Sequence, residues 1–165
     1  MSRLGSALFL AAALVAGCQQ DLREPAELAG LDEAFFRCRV QPILVKSCAH
    51  FACHGDARRF FRVFGRNRLR YAQPEEKRNS LLAPVEGMHN FDSARAYVDV
   101  DQPEASLLLR KPLDVEAGGY WHGGAEEYGR GDVFASTEDG DYQTLLAWVR
   151  GDKEEATCVE PGSDQ

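Results

Sequence analysis

The chain has 165 residues, of which 44% are hydrophobic and 27% charged, and this composition suits one globular domain and excludes a disordered chain. It carries 26 acidic and 19 basic side chains, so its formal charge is −7. Because phosphate binding needs a clustered positive field, this acidic balance argues against nucleic acid as a partner.

The first 17 residues have the pattern of a secretory signal peptide. Arg3 supplies a short positive segment, and the mostly apolar stretch 4–16 is too short to span a bilayer as a helix. Residues 14–18 read Leu-Val-Ala-Gly-Cys, which resembles the bacterial lipobox. The resemblance implies cleavage before Cys18 and lipidation of its thiol. The alternative is an ordinary signal peptide followed by a chance cysteine.

After the signal peptide, the polar residues 18–30 are predicted to tether the lipid to a single domain at 31–160. The first helix of this domain is expected to start near Asp32, because aspartate is a favoured N-cap. Pro42 should break or kink this helix, since proline lacks the N–H that a helix interior needs. A second helical segment should then run to Ser47.

The middle of the chain is predicted to contain turns and short helices. Six arginines lie among aromatic residues in 58–70, and they indicate either a solvated turn with aromatic anchors or a positive field for an anion such as a cofactor carboxylate. A polar turn is expected at 73–79. A helix, a turn and a short helix should follow over 91–113, and then a glycine-rich loop over 117–131.

The last helix has the clearest pattern in the chain. Apolar residues follow the helical spacing i, i+3, i+4 and i+7 at Tyr142, Leu145, Leu146 and Val149. Asp141 is expected to cap its start and Gly151 to end it. The spacing therefore predicts a helix with one buried face.

Residues 48–54 contain the side chains of a covalent haem site. Cys48 and Cys53 can add to the two vinyl groups of a haem, and His54 directly follows as a proximal iron ligand. Their Cys-x4-Cys-His spacing is longer than the usual Cys-x-x-Cys-His, so the extra residues must bulge out. Two alternatives are a disulfide between these cysteines and a zinc site formed by both cysteines and two histidines.

The run 40–55 resembles the cytochrome c-like domains of bacterial exported proteins, especially those of planctomycete and myxobacterial type. These domains open with an apolar Pro-Ile-Leu helix that leads into a Cys…Cys-His-Gly site. The similarity continues in separate blocks at 106–113, 122–124 and 141–149. It implies a mostly α-helical, cytochrome c-like domain with long loops and little β-structure, which binds one haem c and its iron.

A c-type haem usually takes a second axial ligand, methionine or histidine, from the far half of the domain. The candidates are His50, inside the attachment loop, Met88 and His89, in a predicted loop between helices, and His122, in the glycine-rich loop. The resemblance falls on His122, which is therefore favoured as the distal ligand. Met88 is the alternative.

The pairing of the remaining cysteines decides whether Cys48 and Cys53 are available for haem. If Cys18 carries lipid, four cysteines remain in an oxidising compartment, and they allow three pairings. The resemblance brings the flanks of the first and last helices together and implies a Cys38–Cys158 disulfide. A pairing of either with Cys48 or Cys53 would exclude covalent haem.

The resemblance implies an electron carrier rather than an enzyme. It would be held to a membrane of the bacterial cell envelope by its N-terminal lipid and would pass single electrons to a redox partner protein. Gln19 stands where some inner-membrane lipoproteins carry aspartate, which favours the periplasmic side of the outer membrane. The alternative is a haem-free, disulfide-stapled lipoprotein with a structural or binding role.

Overall fold

The computed structural model describes residues 30–71, 77–123 and 131–154. Helices account for 40% of these residues and extended pairing for 4%, which confirms a mostly α-helical domain with little β-structure. The signal peptide, the lipidation site Cys18 and the predicted disulfide partner Cys158 lie outside the described residues. Among the described residues, no helix combines the length and apolar character that crossing a membrane requires.

The elements in chain order are α1 (Glu33–Phe35), a π-helical segment (Phe36–Val40), α2 (Gln41–Ser47), α3 (Pro84–Arg95), a 3-10 turn (Pro103–Ala105), α4 (Leu107–Arg110) and α5 (Gly140–Val149). Two isolated parallel bridges, Phe64 with Leu69 and Leu113 with Phe134, provide the extended pairing of the described residues.

The first three elements form one helical stretch over 33–47. Asp32 caps it as predicted, since its Oδ1 accepts a hydrogen bond from the Phe35 N–H at 2.6 Å. The break or kink expected at Pro42 takes the form of the π-helical segment, in which the Gln41 N–H donates to the Phe36 carbonyl. Because Pro42 has no N–H to donate, the π-helical hydrogen bonds between residues five apart end next to it, and α2 continues the helical stretch.

Helix α3 begins at Pro84 and not at residue 91, so the prediction that Met88 and His89 lie in a loop is wrong. Proline suits a first helical turn, where its missing N–H leaves no bond unmade. The Glu86 carboxylate also accepts the backbone N–H that precedes the helix, at 2.8 Å. Because α3 contains many polar residues and Gly87, its sequence lacks the apolar periodicity from which a helix is predicted.

Helix α5 buries its predicted stripe, Tyr142, Leu145, Leu146 and Val149. The cap is Asp139 and not Asp141, because the helix begins at Gly140 and the Asp139 Oδ1 accepts the N–H groups of the next turn at 2.8 and 3.2 Å. Gly151 ends the helix as predicted, with a positive φ of 93° that favours glycine.

The core lies where α5 packs against the N-terminal helical stretch and α3. Trp148 is fully buried there, and its ring centroid lies 5.2 Å from that of Phe36. Its Nε1 donates to the Asp32 carbonyl at 2.9 Å, which ties the two ends of the domain together. Phe91 of α3 completes the cluster, 5.3 Å from Phe36.

The arginine-rich segment 58–70 forms an irregular turn with buried aromatic anchors such as Phe64, while Phe60 is 98% exposed. Arg70 departs from the expected solvated pattern. It forms a buried ion pair with Glu86 at 2.8 Å and also donates to four backbone carbonyls of 77–81. This pair fastens the segment to α3.

Candidate functional site

The loop 48–55, which carries the Cys-x4-Cys-His motif and is called the attachment loop here, begins where α2 ends at Cys48. The Cys53 N–H donates to the His50 carbonyl at 2.8 Å, and the His54 N–H donates to the Cys48 carbonyl at 3.0 Å. The four residues between the cysteines therefore form a compact bulge. Gly55 closes the loop, and a Cβ at this position would lie 2.9 Å from the His50 carbonyl oxygen.

Both cysteines of this loop are free thiols. The alternative disulfide between Cys48 and Cys53 is therefore not present in this structure. Burial raises the pKa of the Cys48 thiol to about 12, and Cys53 adds to the effect, so Cys48 stays protonated at neutral pH. Cys38 is disulfide-bonded, and its bond involves neither Cys48 nor Cys53. Its predicted partner, Cys158, lies outside the described residues.

His54 is held by the backbone of the arginine-rich segment. Its Nδ1 lies 2.9 Å from the Phe61 carbonyl oxygen, which can only accept, so the proton resides on Nδ1 and the Nε2 lone pair is available. Burial lowers the pKa of His54, and this effect exceeds the opposing effect of the hydrogen bond that His54 donates to the Phe61 carbonyl. At neutral pH the ring is the neutral imidazole that binds metals.

His122 faces His54. Their ring centroids are 6.0 Å apart and their planes differ by 11°. Burial lowers the pKa of His122 as well, so it too is neutral at neutral pH.

The end of α4 positions the loop that carries His122. The Tyr120 N–H donates to the Arg110 carbonyl at 2.7 Å, and the Arg110 guanidinium lies 4.8 Å from the centre of the Tyr120 ring. Lys111 Nζ donates to the Trp121 carbonyl at 3.1 Å. These contacts fix the two residues directly before the histidine.

Gly119 brings the same loop against the backbone of the preceding segment. Its N–H donates to the Asp114 carbonyl at 2.8 Å. A Cβ on Gly119 would overlap the Leu113 carbonyl group, so only glycine permits this approach. The rest of the glycine-rich loop, 124–130, lies outside the described residues.

Cys48, Cys53, His54 and His122 line one cavity of about 1020 Å³. This volume is at the upper end of the range of about 300–1,000 Å³ typical of ligand pockets. Its apolar walls come mainly from Ile43, Leu44, Phe61, Tyr97, Leu107, Leu108, Val133, Phe134 and Leu145. The cavity is therefore large enough to hold a bulky, mostly apolar ligand next to the two imidazoles.

The charged residues of the cavity lining are Lys46, Lys111 and Asp132. None of the six arginines of 58–70 lines the cavity, so the cationic side chains among its described lining residues are the two lysines. Lys46 also pairs with Asp141 at 2.6 Å. Burial raises the pKa of Asp132.

The structure does not bring the alternative distal ligand to the site. Met88 is 47% exposed on α3 and is absent from the cavity lining. His89 is also outside the lining and instead contacts the Phe64 ring, with centroids 5.0 Å apart. His50 lines the cavity from within the attachment loop.

Among the described residues, no three His, Cys, Asp or Glu side chains lie close enough together to hold a metal ion by themselves. The structure therefore does not assemble the alternative zinc set. A haem iron needs only two axial ligands from the protein, because the macrocycle supplies the others. His54 and His122 are two residues that could meet this requirement, and Cys48 and Cys53 are free thiols of the same cavity.

The sequence reasoning did not assign most of the cavity lining to the site, including Tyr97 and Asp132. Neither residue belongs to a motif, and their positions follow from loops whose path local spacing does not predict. The Phe61 carbonyl was also not foreseen, since a backbone acceptor leaves no mark on the residue type.

Comparison with protein-family models, with curated proteins and with solved structures gives no match for this chain. Its function is therefore inferred from the geometry of the cavity and from the motifs in its sequence.

Proposed function

We propose that this protein is a membrane-anchored c-type haem protein that carries single electrons in the bacterial cell envelope. The observation that carries the proposal is the convergence of Cys48, Cys53, His54 and His122 on one cavity. Two free thiols, a histidine with a fixed tautomer and a facing histidine are the groups that such a haem requires.

Each of these residues has a distinct role. Cys48 and Cys53 would hold the haem through one thioether each, because addition of an S–H group across a vinyl group needs no oxidant. His54 would bind the iron as the proximal ligand and His122 as the distal ligand. When bound, the haem iron supplies a reversible one-electron change between its ferric and ferrous states. The free thiols favour this role over the haem-free, disulfide-stapled alternative.

The remaining cavity residues prepare the site. The Phe61 carbonyl keeps the proton of His54 on Nδ1 and directs Nε2 to the metal. The apolar walls exclude water, which stabilises the less charged ferrous state. Lys46 and Lys111 are the cations available to the two carboxylates of the haem.

The lipid on Cys18 would confine this cytochrome c-like domain, 31–160, to a membrane surface. Residues 18–30 provide the tether, and the periplasmic side of the outer membrane is the favoured location. The anchor restricts the search for a redox partner protein to two dimensions.

Covalent attachment is tested by a pyridine haemochrome spectrum. Residues 19–165 are expressed in a periplasm that contains the cytochrome c maturation machinery, and the purified protein is denatured before the spectrum is recorded. We expect one haem per chain, retained through denaturation and lost in Cys48→Ser/Cys53→Ser. Cys38→Ser/Cys158→Ser serves as the matched control, because it removes two cysteines outside the motif and should keep the haem.

The same experiment also has an outcome that contradicts the proposal. A protein without haem, in which mass spectrometry finds Cys48 and Cys53 oxidised to each other, would overturn the proposal. It would leave a disulfide-stapled lipoprotein with a binding or structural role.

A further inference from the structure

Positive charge is concentrated on one short segment of this acidic protein. The segment 57–71 contains six arginines and no aspartate or glutamate, whereas the whole chain carries 26 acidic and 19 basic side chains. All of the acidic side chains therefore lie outside this segment.

Two of the six arginines are engaged with carboxylates. Arg70 forms the buried pair with Glu86, and Arg58 pairs with Asp56 at 2.6 Å although its own side chain is 89% exposed. The others donate to backbone carbonyls and form no ion pair with a carboxylate of the described residues; they are Arg59, Arg62, Arg66 and Arg68. Their charges remain available to an anionic partner.

Phe60 projects from the middle of this cationic segment into solvent. The Arg62 guanidinium reaches back to the Ala57 carbonyl at 3.2 Å, which closes a short loop around Phe60. The Phe60 side chain is 98% exposed, whereas the next residue, Phe61, packs against the core. The loop therefore directs one of two adjacent aromatic rings outward.

The attachment loop lies beside this exposed ring. The Arg59 guanidinium donates to the Ala52 carbonyl at 3.4 Å, and the residue before it in the attachment loop, Phe51, is 57% exposed. A second exposed ring therefore borders the same cations. The arginine–phenylalanine surface, as it is called here, consists of Phe51, Arg58, Arg59, Phe60 and Arg62.

Arginines around exposed aromatic rings suit the surface of an anionic bilayer. The headgroup phosphates attract the cations, and phenylalanine rings enter the boundary between headgroups and acyl chains. A protein partner would need a pocket for a ring as exposed as Phe60, whereas a bilayer accepts it without one. The same lipids repel the acidic remainder of the protein, which turns the cationic segment towards them.

We propose that the arginine–phenylalanine surface binds an anionic phospholipid bilayer, with Phe60 inserted among the headgroups. This contact goes beyond the proposed function, because it needs neither the haem nor the lipid on Cys18. It would hold the side of the domain that carries His54 towards the membrane, since His54 donates to the carbonyl of Phe61.

Vesicle co-sedimentation tests this contact with residues 19–165, which lack only the lipidated cysteine of the proposed mature chain. We expect binding to vesicles of equal parts phosphatidylcholine and phosphatidylglycerol, weakening as salt is raised, and none to phosphatidylcholine alone. Arg59→Ser/Arg62→Ser should weaken binding about 25-fold, at about fivefold for each arginine near an anionic surface. Phe60→Ser should weaken it about tenfold, because the variant has no ring to bury.

Three variants are controls. Arg59→Lys/Arg62→Lys keeps both charges and should bind as the wild type does. Arg37→Ser/Lys153→Ser removes two exposed cations outside the segment, and Val100→Ala truncates a 52% exposed apolar side chain elsewhere. Both should bind as the wild type does, and circular dichroism verifies that every variant is folded.

Several results overturn this assignment. They are equal binding to both kinds of vesicle, no binding to either, and Arg59→Ser/Arg62→Ser or Phe60→Ser variants that bind as well as their controls. Binding to soluble poly-glutamate without binding to vesicles also overturns it and assigns the surface to an acidic protein. A pyridine haemochrome on the same samples keeps the two proposals apart. Vesicle binding by a chain without haem rejects only the haem function, whereas one haem per chain without vesicle binding rejects only this contact.

Discussion

Replacing Gly119 by alanine tests whether the close packing of the glycine-rich loop positions the proposed distal ligand, His122. The new Cβ would lie at least about 1 Å inside the 3.0 Å limit for real Cβ contacts, against the backbone of Leu113 and not against a side chain that could rotate away. The same Cβ would lie 2.9 Å from the Asp114 carbonyl oxygen. The loop must therefore move outward by about 1 Å or more.

Such a movement has two measurable consequences. Overpacking of this kind typically costs about 1–3 kcal/mol of unfolding free energy. The loop carries His122 only three residues further along, so the same displacement draws the imidazole away from its position 6.0 Å from His54. We expect partial loss of the distal ligand and a population of five-coordinate haem.

Two assays separate these consequences. Urea unfolding followed by circular dichroism gives the change in unfolding free energy, and the ferric absorption spectrum with carbon monoxide binding to the ferrous form reports the free coordination position. The control is Gly140→Ala at the start of α5, where a Cβ meets nothing within 4 Å. It should leave both the spectrum and the carbon monoxide response as in the wild type.

A Gly119→Ala protein that remains fully six-coordinate and as stable as Gly140→Ala would refute this reasoning. It would mean either that the loop accommodates the new Cβ without moving, or that the distal ligand comes from elsewhere in the chain.

Further predictions address the distal ligand, the buried ion pair and the core. His122→Ala should convert the ferric haem to a high-spin, five-coordinate spectrum, whereas Met88→Leu should change nothing, and the reverse pattern would reassign the ligand. Glu86→Gln should cost about 3–5 kcal/mol in urea unfolding, because it leaves Arg70 buried without its partner; a cost below about 1 kcal/mol would contradict that. Burial alone would raise the pKa of Glu86, but hydrogen bonds from Arg70 and from two backbone N–H groups hold it below its usual value. Its contribution should therefore be complete above the unfolded pKa of about 4.3 and should disappear as the pH falls through the lower folded value, a loss absent from Glu86→Gln. Trp148→Phe should cost about 1 kcal/mol or more, since it removes the indole hydrogen bond to the start of the first helix, and a variant as stable as the wild type would show that this bond contributes nothing.

The features that the sequence predicted correctly depend on contacts within a few residues. Asp32 caps the first helix because a capping bond joins residues three apart, and the stripe of α5 follows from the helical period alone. The motif of Cys48, Cys53 and His54 is local as well, since these residues are neighbours in the chain, and its role in haem attachment stays a prediction. For this reason the order of residues alone indicates the proximal half of the candidate haem site.

Other features depended on neighbours that are distant in the chain. The start of α3 and the buried pair of Arg70 with Glu86 escaped prediction because a loop of the arginine-rich segment creates the environment of both. The cap of α5 is a local feature that was assigned to the wrong residue, since both Asp139 and Asp141 can cap a helix and the helix begins at Gly140 with Asp139 as its cap.

The site itself divides along the same line. The sequence predicted the proximal half of the proposed site and, through a resemblance, His122 as its distal ligand. The tertiary structure decided that His122 faces His54, that the Phe61 carbonyl fixes the tautomer of His54 and that Asp132 lies in the cavity. These placements arise where loops from separate parts of the chain pack on a shared backbone segment, and no local spacing in the sequence specifies that packing.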